Sequence, residues 1–149
     1  MKSASVQSEP GPPERSALLA LQRATHATLQ LIAAELAGLE LTASETNALA
    51  NLADGRARTV SELGTGTGTR PTTLTGVLDR LERRGHITRG TRVGDRRSVL
   101  IELTPAGRRA AETIRQTLTA LEKRALSGLS ATEVAGFHAV LRALTEVSA

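Results

Sequence analysis

Leu74-Thr75-Gly76-Val77-Leu78-Asp79-Arg80-Leu81-Glu82-Arg83-Arg84-Gly85 is the stretch on which the fold turns. Leu74, Val77, Leu78 and Leu81 recur at three- and four-residue spacing, which lines one side of a helix with aliphatic side chains. Pro71 suits the first turn of that helix and Gly85 its close. With the stripe turned inward, an advance of about 100° per residue points Thr72, Gly76, Asp79 and Arg83 outward, flanked by Thr73, Thr75 and Arg80. The same helix sits in a segment, residues 70–109, that holds ten arginines against four acidic residues and therefore carries +6, while the whole chain is +4. So concentrated a charge indicates a single polyanion-binding face.

Working outward, residues 86–92 and 98–103 lean toward β-structure, with Val99, Ile101 and Leu103 alternating against Leu100 and Glu102. Between them Val93-Gly94-Asp95-Arg96-Arg97 is expected to be the polar tip of a hairpin. Upstream, Leu18, Leu21, Leu29, Ile32 and Leu36 predict a long helix over 14–39. A second is expected from about Ser44, capped by Thr42 or Ser44 and ending at Asp54-Gly55. Residues 59–68 begin as a helix, but Gly64, Gly66 and Gly68 alternate with threonines. At roughly 1 kcal/mol per interior glycine, this predicts a short or poorly ordered helix, mobile without its binding partner. Downstream, Thr104-Pro105 starts a long helix through Ile114, Leu118, Leu121 and Leu126 that closes near Gly128. A final helix begins at Ser130, with Glu133 in capping-box position, and carries Val134, Phe137, Leu141 and Leu144.

Composition agrees with this mainly α reading. In 149 residues, 40% of them apolar, Phe137 is the one aromatic, so the core is built from Leu, Ile, Val and Ala, which assemble more easily as helices than as a sandwich. The chain has no cysteine, which removes disulfides, thiolate zinc sites and thiol redox sensing, and fits a reducing cytoplasm. No apolar run is long enough to span a bilayer, so no membrane partner is expected. Residues 1–13 read as a loose tail with no secretion signal, closed by Pro10-Gly11-Pro12-Pro13.

Two helices, a recognition-type helix and a basic hairpin in succession make a winged helix-turn-helix, expected over 42–104. The candidate DNA contacts are Arg70, Thr72, Thr73, Thr75, Arg80 and Arg83 on the helix, with Asp95, Arg96 and Arg97 in the wing. Threonine hydroxyls can bond a phosphate or a base edge, and their methyls can meet thymine. Arg96 and Arg97 suit a narrow minor groove, and Asp95 suits an ion pair that shapes the wing. For Arg80 a structural ion pair with an acidic neighbour is the competing reading. Arg83, Arg84, Arg108 and Arg109 can also serve as helix-end charges. No aromatic side chain lies in the basic segment to stack on exposed RNA bases. Catalytic machinery is not expected. There is no cysteine nucleophile, serine elbow or carboxylate–histidine cluster, and Gly64-x-Gly66-x-Gly68 lacks the preceding strand and following lysine of a phosphate loop. His26, His86 and His138 give no metal spacing, and no cofactor is expected.

The run 74–85, followed by Gly94-Asp95-Arg96-Arg97 and by Leu103-Thr104-Pro105-Ala106-Gly107, closely resembles the MarR (multiple antibiotic resistance regulator) family. In helix order the resemblance extends over about 18–144, with specific motifs between about Val60 and Gly107. It implies a homodimer whose first and last helices (14–39 and 105–149) interlock, with one winged domain per subunit on a pseudo-palindromic double-stranded operator. It also implies repression relieved by a small ligand, often an aromatic acid, bound between the dimerisation helices and the winged domain. By matching motifs it carries over Thr72, Thr73, Thr75, Asp95 and Arg97 as DNA contacts. Two departures stand out: Gly76 where relatives often carry Arg, and the glycine-threonine alternation where they carry an unbroken Ala- and Leu-rich helix. Arg23 and His26, within a turn of each other on the first helix, are the candidate receivers of a ligand carboxylate, against the plainer reading of an interfacial histidine. The sequence therefore predicts a dimeric, sequence-specific regulator, with a non-specific architectural DNA-binding protein as the alternative.

Overall fold

A computed structural model describes residues 16–92 and 94–147, without the side chains of Arg92, Asp95, Arg96 and Arg97. The expected tail, 1–13, lies outside the described residues. The chain runs α1 (Ala17–Glu35), α2 (Ala43–Asn51), β1 (Arg58–Thr59), α3 (Val60–Thr67), α4 (Pro71–Arg83), β2 (Ile87–Arg92), β3 (Asp95–Leu103), α5 (Pro105–Leu126) and α6 (Ala131–Val147). A 3₁₀ turn, Ala37–Leu39, follows α1, so the first helix ends four residues earlier than its apolar pattern predicts. Glu40 then turns the chain in the left-handed region at φ 53°.

Local chemistry explains most boundaries. Side-chain oxygens of Ser16, Thr42, Thr59 and Thr104 each accept a backbone N–H in the first turn of the helix that follows. Thr42 is thus the cap of α2, and Ser44 falls inside the helix. Before α6, Glu133 N–H donates to Ser130 Oγ at 3.2 Å while Ser130 N–H donates to Glu133 Oε1 at 3.1 Å, the reciprocal capping box read from the sequence.

The glycine-rich segment forms a short helix of eight residues, one of the two outcomes its composition predicts. α3 continues through Gly64 and Gly66 to Thr67, and Gly68 closes it at φ +68°. Tertiary packing overrides the weak propensity: Leu63 is fully buried, and Asn47 Nδ2 donates to the Thr67 carbonyl at 3.1 Å.

The core is one aliphatic cluster. Leu49 from α2 and Leu52 just past its end, Leu63 from α3, the α4 stripe, Ile87 and Ile101 from the sheet and Ile114 from α5 all show 1% exposure or less. The sheet is antiparallel in the order β1-β3-β2, with Arg58 opposite Ile101 and Ile87 opposite Leu103. A bidentate pair between Arg58 and Asp54, at 2.8 and 2.7 Å, fixes the loop that delivers β1 to the sheet. Gly107 marks the tightest approach. A Cβ there would sit 1.9 Å from the His86 carbonyl oxygen, so glycine lets the start of α5 lie directly on the entry to β2.

α1 and α6 contribute no buried residue to this core. Leu18, Leu19, Phe137 and Val140 are half or more exposed, and an apolar groove lined by Leu21, Ala24, Leu141 and Leu144 runs between the two helices.

Candidate nucleic-acid interface

α4 presents the face its sequence predicts. Leu74, Val77, Leu78 and Leu81 are buried, while Thr72, Thr73, Thr75, Asp79, Arg80 and Arg83 are exposed. Arg70 caps the helix with its backbone alone, Pro71 occupies the first turn, and no acidic residue lies in that turn. The N-terminal N–H groups and the positive end of the helix dipole are therefore uncompensated, which is the chemistry that receives a phosphate. Thr75 Oγ1 donates to the Pro71 carbonyl at 3.0 Å, which turns its methyl and remaining lone pairs outward.

Ion pairs divide the charged residues of α4 into two sets. Arg80 Nε donates to Glu45 Oε1 at 3.1 Å, and Arg84 donates to Glu45 Oε2 at 3.4 Å. Glu45 is 3% exposed, so the α2 carboxylate is buried beneath two guanidinium groups. Arg84 also donates to the carbonyls of Glu40 at 2.6 Å and Leu39 at 3.2 Å, which ties the C-terminal end of α4 to the turn after α1. On the opposite flank Arg89 of β2 pairs with Asp79 and, at 3.3 Å, with Glu82. Both acidic side chains of α4 thus hold the wing against the recognition helix. Gly76 lies beside Arg80: a Cβ there would meet the Arg80 guanidinium in ordinary contact at 3.5 Å.

The hairpin is longer and its tip shorter than predicted. β3 begins at Asp95, so Asp95, Arg96 and Arg97 belong to a strand rather than to the tip, and Gly94 before them turns at φ +88°. The pairing slips between Thr91 and Arg92, which stand opposite Val99 and Asp95. Side chains of Asp95, Arg96 and Arg97 lie outside the described residues; their backbone places them at the far end of the wing, on the strand that starts there.

Behind this face a cavity of about 410 Å³ opens between α1, α2 and α5. Leu29, Ile32, Leu36, Leu41 and Leu118 form its apolar walls, and Ser44, Thr46 and Asn47 supply its polar side chains. The structure does not gather Arg23 and His26 there. Arg23 lines the groove between α1 and α6, and His26 is exposed on α1, its Nε2 3.2 Å from Gln30 Nε2.

Sequence reasoning missed Glu45, Asn47 and Arg89, and it read Arg84 as a helix-end charge without its bonds to Glu45, Glu40 and Leu39. For Glu45 a signal was present, because it stands three and four residues before Ala48 and Leu49 and so falls on the buried side of α2. Arg89 shares strand parity with the buried Ile87, which directs it toward α4. Asn47 and Arg84 carried no such pattern.

A family model described as MarR family matches residues 41–99, the stretch from the start of α2 into β3. The chain carries a MarR-family domain. Solved structures extend the likeness over the flanking helices. A MarR-family transcriptional regulator from Silicibacter pomeroyi is 26% identical with a TM-score of 0.73, over 86% of each chain. A probable transcriptional regulator from Pseudomonas aeruginosa is 29% identical with a TM-score of 0.70, over 87% of this chain and 97% of that one. BpsR of Bordetella bronchiseptica, whose DNA binding is regulated by 6-hydroxynicotinic acid, is 25% identical with a TM-score of 0.75, over 91% and 97% of the two chains. Comparison with curated proteins finds no match. Among the described residues no helix is long and apolar enough to cross a membrane, and no group of His, Asp and Glu is placed to hold a metal.

Proposed function

We propose that this MarR-family protein is a cytoplasmic, homodimeric, sequence-specific transcriptional regulator that represses from a pseudo-palindromic operator and is released by a small ligand. The observation that carries the reading is the exposed threonine face of α4, with an uncompensated N-terminus, held in one rigid unit with a basic wing by Arg89. Thr72, Thr73 and Thr75 enter the major groove. Arg70 and Arg83 take flanking phosphates, and Arg96 and Arg97 reach the minor groove with Asp95 shaping the wing. Arg80 serves the site indirectly through Glu45. Dimerisation follows from α1 and α6, whose Leu18, Leu19, Phe137 and Val140 are half or more exposed among the described residues. The regulated relative BpsR supports the ligand-released part of the reading. Selection of bound duplexes from a random pool tests it: an inverted repeat with half-sites about one helical turn apart is expected. Salt-sensitive binding with no enriched sequence would instead establish the architectural alternative, which the missing side chain at Gly76 favours.

A further inference from the structure

Three consecutive residues at the end of α4 carry polar attachments to both α1 and α5. Arg84 grips the turn after α1, where Nη1 donates to the Glu40 carbonyl at 2.6 Å and Nη2 to the Leu39 carbonyl at 3.2 Å. Gly85 and His86 meet the start of α5. Their carbonyls accept from Thr104 Oγ1 at 2.5 Å and from the Thr104 N–H at 3.0 Å, beside the close approach of Gly107 to His86.

The two attachments differ in kind. At α5 the chain continues directly from β3, and backbone groups make one of the bonds, so the main chain fixes the geometry. At α1 the polar link is a single side chain. Leu36 also seats the end of α1 in the core, at 6% exposure, but apolar burial has no preferred direction. A planar guanidinium bound to two carbonyls does, because its N–H groups diverge at fixed angles. The carbonyls lie where the 3₁₀ turn ends and helical donors run out, with Glu40 in the left-handed region. The guanidinium is itself aimed: Nη1 also donates to Glu45 Oε2 at 3.4 Å, and that buried carboxylate is held on its other oxygen by Arg80. A body fixed along one attachment can still pivot about it. A second, directional attachment removes the pivot.

We propose that Arg84 is a positioning residue for operator recognition: its clamp on the Leu39 and Glu40 carbonyls fixes the angle between the winged domain and α1, and so selects the spacing of the two half-sites. The proposal rests on the homodimeric, operator-binding reading and deepens it. Arg84 itself makes no contact with DNA in this role.

Two measurements on full-length protein test it. The chain has no cysteine, so Thr88→Cys, at an exposed position of β2, takes one nitroxide label per subunit. Double electron–electron resonance without DNA then reads the distance between the two winged domains. Arg84→Ala should broaden that distribution at least about twofold, as orientations the clamp excludes become populated. Arg84→Lys should do the same, since one ammonium keeps the charge but does not span two carbonyls in a fixed plane. The second measurement titrates each protein against the selected duplex, the same half-sites about two base pairs farther apart, and a single half-site. In both variants discrimination between the two spacings should fall about tenfold, the worth of one charge-assisted hydrogen bond, with single-half-site affinity within about twofold of wild type. A phosphate contact through Arg84 would instead weaken all three duplexes together and lower the salt slope by about one. Uniform weakening overturns the proposal, as does a wild-type distance distribution in a folded Arg84→Ala protein, or wild-type behaviour of Arg84→Lys. If Arg84→Ala does not fold, Arg84→Lys decides. Labels with no partner spin refute the homodimer reading and this proposal with it, whereas a dimer with unmoved distances refutes this proposal alone. The distance measurement needs no operator, so it decides even where duplex selection fails.

Discussion

Gly107→Ala is the substitution for which backbone geometry and helix propensity most plainly disagree. Gly107 lies in the first turn of α5, where alanine is intrinsically preferred by about 1 kcal/mol. Its Cβ would nevertheless stand 1.9 Å from the His86 oxygen and 2.8 Å from the carbonyl carbon, both backbone atoms that cannot rotate away. Ordinary contact requires well over 3 Å, so the start of α5 must retreat by more than 1 Å from the entry to β2. That retreat breaks the bond from Thr104 N–H to the His86 carbonyl at 3.0 Å and the bond from Thr104 Oγ1 to the Gly85 carbonyl at 2.5 Å. At about 1 kcal/mol each, with the packing of Ala110 and Ala111 also disturbed, the net loss is about 2–4 kcal/mol despite the better propensity. Gly64→Ala is the control, since its Cβ would meet neighbours at 3.6 and 3.7 Å, and it should gain about 0.5–1 kcal/mol. Urea unfolding followed by far-ultraviolet circular dichroism at one fixed protein concentration measures both. A Gly107→Ala protein as stable as the wild type would refute the reasoning.

Glu45→Ala removes the buried carboxylate under Arg80 and Arg84; with both guanidinium groups partly solvated, the expected loss is about 1–3 kcal/mol in the same urea assay. The freed Arg80 should also make the salt dependence of DNA binding steeper by about one phosphate contact, as read from titrations at several salt concentrations. Arg89→Ala unties the wing from Asp79 and Glu82. Because these pairs are partly exposed, stability should change by less than about 1 kcal/mol, while anisotropy titrations should show operator affinity falling about tenfold. The partly buried imidazole of His86 is held below its ordinary pKa, first by desolvation and then by the Arg84 charge, with Glu45 opposing. The unfolded chain then binds the proton more readily, so stability is complete above about pH 6.5 and falls as the pH drops below it. Urea midpoints at pH 7.5 and 5.5 should diverge less in His86→Gln than in the wild type.

Where local chemistry and packing agreed, the fold was legible. The α4 stripe and the Thr104-Pro105 start of α5 each combine a periodic or capping signal with a burial that confirms it, and the Ser130–Glu133 box is confirmed by its two reciprocal hydrogen bonds. The glycine-threonine helix is short, as its composition predicts, and what holds its eight residues in order, Leu63, Asn47 and the Thr59 cap, acts beyond local propensity. The wing tip misled because Asp95-Arg96-Arg97 looks like a loop by polarity. A strand that projects beyond the core has no buried face to show as alternation, and Val99 is already 40% exposed there. Individual bonds of the site were less visible. A pairing such as Arg89 with Asp79 joins residues ten apart on different elements, and nothing in either one's neighbourhood specifies the other. Arg23 and His26 are neighbours along α1, but the helix directs neither into the cavity that their proximity suggested.

The central claim is that α4 reads sequence through its threonines while arginines supply general affinity. The direct measurement is the affinity ratio between the selected duplex and a scrambled duplex, for the wild type and for Thr72→Ala/Thr73→Ala/Thr75→Ala, at two salt concentrations. The account predicts a wild-type ratio of about 10³ or more, and a variant whose ratio collapses by at least about tenfold while its salt slope stays the same. An unchanged ratio in a folded variant would contradict it, as would a wild-type ratio near one.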